Sequence, residues 1–215
     1  HNGCLDIMCK HANDKDCHVD TKRAISRCLA LFASNTSQVH EHLLTDDVLS
    51  SLEVLIAATD DRNCERCGML AVANLATDGS NHPVILSTIR LETILTLAQS
   101  NDVETLRSLS FALHSFSTCE QNHAILVEAN AADSLVTLLR CDDYDTSFQA
   151  CLATKYLCTS ENWRNIIAES NGLEALLSLA SGNDLELKRE LVGALRNMTL
   201  SDDNKRRMMV KDGMK

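Results

Sequence analysis

The stretch LELKRELVGALRNMTLSDDN, residues 185–204, is the pattern from which the rest of the chain can be read. Leu187, Leu191, Ala194, Leu195 and Met198 recur at three- and four-residue spacing, which places them on one face of a helix. Asn197 stands off that stripe. The same helix returns upstream at a 41-residue offset: Asn197 falls on Tyr156, Ser115 and Asn74, and Leu195 on Thr154, Leu113 and Val72. The Ala194 position reads Ala153, Ala112 and Ala71, small throughout. A second helix keeps the same register, with Ile94, Leu135 and Leu176 in one column and Leu97, Leu138 and Leu179 in another. A fixed interval of this length is the mark of a repeat protein. A looser first unit joins if one or two residues are inserted, which puts Leu31 on the Asn74 position and Leu52 and Leu55 in the second-helix columns.

Composition sets the class. The 215 residues hold one Pro, seven Gly and 3% aromatics against 45% apolar residues, so aliphatic side chains and Ala favour helix over sheet. No apolar run reaches the length of a membrane span. A net charge of −10 speaks against a nucleic-acid or anionic-membrane binder. The ten cysteines fall largely on apolar helix faces, as Cys28, Cys67, Cys151 and Cys158 do, and read as small hydrophobes in a cytoplasmic protein. His1 is not an initiator Met, and residues 211–215 match 170–174, where a new helix starts. The expectation is a fragment of a longer protein, or a chain without a capping helix.

Each unit reads as three helices. In the clearest, a first helix over residues 162–169 stops at Asn171-Gly172, a left-handed stop signal. A second helix runs from Leu173 to Ala180, and a third from Leu185 to Thr199 after an Asn183-Asp184 cap. Asn81, Asn122, Asn162 and Asn204 precede the short first helices and are expected to be their N-caps.

These units resemble armadillo repeats. The resemblance rests on Gly172 and Gly213 between the first and second helices, and on Ala194-Leu-Arg-Asn-Met198 and Ala71-Val-Ala-Asn-Leu75 in the third. It covers residues 20 to 213, about four and a half units, with residues 1–19 as an N-terminal cap or degenerate first unit. It implies an all-α, right-handed α-solenoid whose third helices line a concave groove, the surface on which family members hold extended partner segments. The chain departs from the pattern at Arg90 and Ala131 or Ala132, which lack the glycine, and at Ser115 and Tyr156, which replace the Asn. Importin-alpha-like members carry Trp one turn before this Asn. Here Leu70, Phe111, Leu152 and Gly193 stand there, so the reading as a nuclear-signal receptor fails.

An Asn in the groove can donate and accept at once, which suits a partner's backbone, and Asn74 and Asn197 are assigned that role. The expected groove adds Phe111, His114, Ser115, Lys155, Tyr156, Gly193 and Arg196, with Phe148 and Leu152 as apolar contacts. Tyr156 and Phe111 are hot-spot candidates, although Phe111 reads equally well as core. Arg23, Arg66, Arg107 and Arg189 form a column on one edge, and His114, Lys155 and Arg196 lie on the same edge at about 100° per residue. Two readings stay open: a basic rail for an acidic or phosphorylated segment, or arginines neutralised by acids just upstream, such as Asp102, Glu104, Asp184 and Glu186. His114, Lys155 and Arg196 have no such local partner in the sequence. Trp163 reads as inter-repeat packing ahead of a partner anchor.

Metal and catalytic readings are thin. Cys64 and Cys67 have half the spacing of a zinc knuckle, without a second half. Cys4, Cys9, His11, Cys17 and His18 are ligand-rich but irregular, the basis of an alternative zinc-dependent N-terminal module. No catalytic motif is present and no cofactor is implied. The sequence points to a non-catalytic scaffold that binds an extended or helical segment of another protein in the groove of its third helices. The alternative is a structural spacer or oligomerisation unit, self-associating through an open C-terminal face.

Overall fold

The structure, a computed structural model, describes residues 3–35, 37–58 and 61–212. Gly213, one of the two glycines that carry the family resemblance, lies outside them. Among the described residues there are fifteen α-helices and no strand. After α1 (Gly3–Asn13) and α2 (Val19–Ala33) come the triplets α3 (Ser37–Leu43), α4 (Asp46–Ile56), α5 (Arg62–Leu75) and α6 (His82–Thr88), α7 (Leu91–Leu95), α8 (Val103–Ser117). Next are α9 (His123–Glu128), α10 (Ala131–Leu139), α11 (Tyr144–Leu157), then α12 (Glu161–Glu169), α13 (Gly172–Leu179), α14 (Leu185–Met198), and finally α15 (Asp202–Asp212). Two compact units divide the chain, residues 1–112 and 113–215, with the boundary inside α8.

Within each unit, like packs on like. In the first, the third helix α2 lies along the third helix α5, and α1 along the second helix α4; in the second, α11 lies along α14 and α10 along α13. Ala71, Ala112, Ala153 and Ala194 are wholly buried, because helices that approach to about 8–10 Å leave room only for small side chains at the crossing.

The third helices start on a column of aspartates. Asp61 accepts from the Asn63 and Cys64 N–H groups at 3.0 and 3.1 Å. Asp102, Asp143 and Asp184 accept from Thr105, Thr146 and Leu187 N–H at 3.0, 3.0 and 2.7 Å. Each satisfies backbone donors that a helix start leaves open. Their spacing is the 41-residue interval, while His18, which caps α2 by accepting from Asp20 N–H at 3.2 Å, precedes Asp61 by 43. The first unit therefore carries a two-residue insertion.

Asn81 and Asn122 stand at the N-cap positions of α6 and α9, but neither side chain makes a capping bond there, and Asn204 lies inside α15. Asn81, Asn122 and Asn204 donate their side-chain amides backwards, to the carbonyls of Leu75, Phe116 and Met198 at 2.8, 3.0 and 3.2 Å. They hold the end of the preceding third helix, whose last carbonyls have no partner in the helix itself. The next position does the same: His82 and His123 donate from Nε2 to Ala76 and Ser117 carbonyls, both at 2.9 Å, and Arg164 donates to Cys158 at 3.1 Å. The 41-residue register places Trp163, not the exposed Asn162, in the asparagine column.

At the stop between α12 and α13 the left-handed residue is Asn171, with φ 61°. Asn130 does this one repeat earlier, with φ 56°. Gly172 serves close packing instead: a Cβ there would lie 2.4 Å from Ile167 Cγ2 and 2.8 Å from the Ile167 carbonyl oxygen.

Candidate partner-binding site on the third helices

The second unit brings His114, Ser115, Lys155, Tyr156, Gly193, Arg196 and Asn197 onto α8, α11 and α14. The Lys155 stem lies across Gly193, where an added Cβ would meet its Cδ and Cε at 3.2 Å. The amine then reaches Glu190 Oε2 at 2.7 Å, and Arg189 Nε meets the other oxygen at 3.1 Å. One buried carboxylate thus holds two cations. The Lys155 hydrogen bond comes first among the causes that keep the Glu190 carboxyl below its usual range. Asn197 donates to the Lys155 carbonyl at 2.9 Å, so α14 clasps α11 through both backbone and side chain.

Tyr156 is 38% exposed and stacks on the His114 ring, with centroids 5.7 Å apart and planes at 23°. The Lys155 amine stands 5.6 Å from the Tyr156 ring centre, within cation–π range. His114 Nδ1 lies 2.7 Å from Gln149 Oε1 and carries the proton. Burial, and then the Lys155 charge, hold the His114 pKa below its ordinary value against the pull of Gln149. Further along α11, Tyr144 stacks on Phe148 at 5.6 Å and donates to Asp184 at 3.0 Å.

His114 and Lys155 therefore do have partners, on the following helix of their own unit rather than nearby in sequence. The arginine edge is also held from within. Arg23 meets Asp61 at 2.6 Å and Asp20 at 2.8 Å, Arg66 donates to Asn63 at 3.2 Å, Arg107 meets Glu104 at 3.3 Å, and Arg189 meets Glu190. Of the upstream acids read as possible neutralisers, Glu104 pairs with Arg107, while Asp102 and Asp184 cap the starts of α8 and α14. Arg196 is exposed and has no ion pair among the described residues.

In the first unit Asn74 and Phe111 are both half-buried, on α5 and α8. Cys9 is buried, Cys17 half-buried, and Cys4, His11 and His18 are exposed. Among the described residues no three His, Cys, Asp or Glu gather to hold a metal. Cys64 is buried within α5, and burial pushes its thiol to about 11.

The His114 and Glu190 environments predict an acid-sensitive fold. His114 titrates lower in the folded chain than unfolded, so as pH falls below about 6.5 the unfolded chain takes up that proton first and stability drops. Glu190, whose pKa is lowered, contributes fully above the usual carboxylate range, and its contribution is lost as pH falls through the folded value. Urea midpoints measured from pH 7.5 to 5.5 should fall, and His114→Gln should flatten part of that slope. An unchanged slope in the variant would remove His114 from the account.

Residues 159–200 match the model of the Armadillo/beta-catenin-like repeat. No curated protein matches the chain. Among solved structures, a designed armadillo repeat protein is 19% identical, with a TM-score of 0.81 over 95% of this chain and 87% of that one. A second design, in complex with the peptide (KR)4, is 20% identical with a TM-score of 0.75, covering 90% and 81%. An engineered protein at 22% identity gives 0.74 over 91% and 79%. The fold is that of armadillo repeats. Among the described residues no helix is long and apolar enough to cross a membrane.

Proposed function

We propose that this armadillo-repeat chain is a non-catalytic cytoplasmic scaffold whose third helices hold an extended, acidic segment of another protein. The distribution of charge carries the reading. Helices α2, α5, α8, α11 and α14 together contain ten Lys and Arg against six Asp and Glu. The whole chain has 20 against 30. Half of the cations and a fifth of the acids lie within these helices, and the capping Asp61, Asp102, Asp143 and Asp184 at their starts bring the balance to ten against ten, so an anionic segment meets less repulsion here than over the rest of the acidic chain. The design noted above is in complex with (KR)4; the charge here favours the opposite sign.

In the second unit Tyr156 is the anchor, an exposed ring already ordered by His114, and Asn197 offers the rest of its amide to a partner backbone. Asn74 supplies the same group in the first unit. Burial pushes the Cys151 and Cys158 thiols to about 12, which fits cysteines used for packing in a reducing compartment.

A fluorescent acidic octapeptide, (Glu-Asp)4, should bind more tightly than (KR)4 and weaken with salt. Tyr156→Ala should lower its affinity at least about tenfold while barely moving the melting temperature. Tighter binding of the basic peptide, or no binding of either, would sink this reading.

A further inference from the structure

Two positions on the third helices meet at each step of the second unit. His114 on α8 reaches Gln149 on α11, and Lys155 on α11 reaches Glu190 on α14, both at 2.7 Å. The 41-residue register makes Lys155 the counterpart of His114, and Glu190 that of Gln149. The later pair is the charged version of the earlier one. It also has room beneath it: Leu152 stands where Gly193 stands one repeat on. The Lys155 stem fills the space that a side chain at 193 would take, with Cδ and Cε 3.2 Å from the site of an added Cβ.

Lys155 is thus held as a ligand is held. Its stem rests on Gly193, its ammonium donates to Glu190 at 2.7 Å, and the Tyr156 ring centre stands 5.6 Å away. The Glu190 side chain is only 10% exposed, and an enclosed carboxylate left without its cation is costly. Arg189 does not replace it, because that side chain is 77% exposed and reaches only the other oxygen, at 3.1 Å. Carried on the neighbouring helix, Lys155 acts at an effective concentration of about millimolar or more, so a partner's cation at lower concentration does not displace it.

We infer that Lys155 sets which charge the second unit accepts: seated in a slot built from Glu190, Gly193 and Tyr156, it closes that enclosed carboxylate to basic segments of a partner. Its bearing on a partner rests on the third helices being the binding surface, as proposed above. The slot itself stands on the packing of α11 against α14.

Lys155→Ala empties the slot, and n-butylammonium, a lysine side chain without its backbone, is the probe. At about 50 mM it should raise the melting temperature of this variant by about 2 °C or more over sodium chloride at the same concentration, or restore helicity if the variant is unfolded alone. n-Butanol should do neither, and the amine should leave the parent unchanged because its slot is filled. A double variant that adds Glu190→Gln should fold and ignore the amine. The ratio of affinities for (KR)4 and (Glu-Asp)4 should move at least about tenfold toward the basic peptide in Lys155→Ala and return toward the parent value in the double variant. A single variant blind to butylammonium, or an unmoved ratio, overturns the inference. If the parent binds neither peptide, the acidic-partner reading fails; capture of (KR)4 by Lys155→Ala alone would still uphold the role of Lys155, and capture of neither peptide by that variant would overturn it too.

Discussion

Trp163→Ala lowers the unfolding free energy by about 3–5 kcal/mol, the range for removing a fully enclosed Trp. The side chain is 1% exposed, and its indole N–H donates to the His123 carbonyl at 3.3 Å, tying the first helix α12 to the first helix α9. Truncation leaves a cavity between two repeats and frees a buried carbonyl at once. The register adds a second expectation. Trp163 occupies the column held elsewhere by Asn81, Asn122 and Asn204, each of which donates to a carbonyl six residues earlier. Trp163→Asn can make the corresponding bond to Leu157, and should therefore cost less than Trp163→Ala despite its polarity. Urea unfolding followed by far-ultraviolet circular dichroism checks both, since Trp163 is the chain's one indole fluorophore. An alanine variant within about 1 kcal/mol of the parent would contradict the packing role.

Gly172→Val comes second, at about 2–3 kcal/mol or more. Even the first added carbon falls 2.4 Å from Ile167 Cγ2, 2.8 Å from the Ile167 carbonyl oxygen and 3.3 Å from Val136 Cγ2, and the carbonyl belongs to a hydrogen-bonded helix with little freedom to yield. The preceding repeat shows how a Cβ is accommodated. Ala131 stands at the Gly172 position there, wholly buried, opposite Leu126 where the later repeat has Ile167. Leu carries no Cγ2 on its β-carbon. Gly172→Ala should therefore destabilise alone and recover in part when combined with Ile167→Leu, a non-additivity that a double-mutant cycle reads directly. Strict additivity would show that the Ile167 methyl is not the obstacle. Asn171→Gly next door should be nearly neutral, because glycine adopts φ 61° freely.

The fold was legible because helical periodicity and a fixed interval are written in the identity of single residues: the Ala71, Ala112, Ala153 and Ala194 column alone sets the register. The caps were half legible. Asp184 could be assigned locally, yet Asp61, Asp102 and Asp143 carry the same interval and complete the column. The asparagines are ambiguous in sequence for a specific reason. Asn162 offers itself as a fourth member where the register puts Trp163, and a side chain that reaches back to the preceding helix leaves the same local spacing as one that reaches forward. The site was least legible. Lys155 finds its carboxylate 35 residues later on α14, and His114 finds Gln149 35 residues later on α11. Neither pairing is visible until the repeats are stacked, because sequence distance and spatial distance separate there by one whole repeat.

The backward-reaching ties of Asn81, Asn122 and Asn204 also bear on how the chain assembles. Each closes a loop of only six residues, a short search for a polymer, so a third helix and the turn after it can form before any neighbouring repeat is in place. The pairings between repeats, at about forty residues, come next in chain separation. Such a hierarchy corresponds to low relative contact order and fast, many-sited nucleation. A growing polypeptide could then order itself behind the point of synthesis, one triplet at a time.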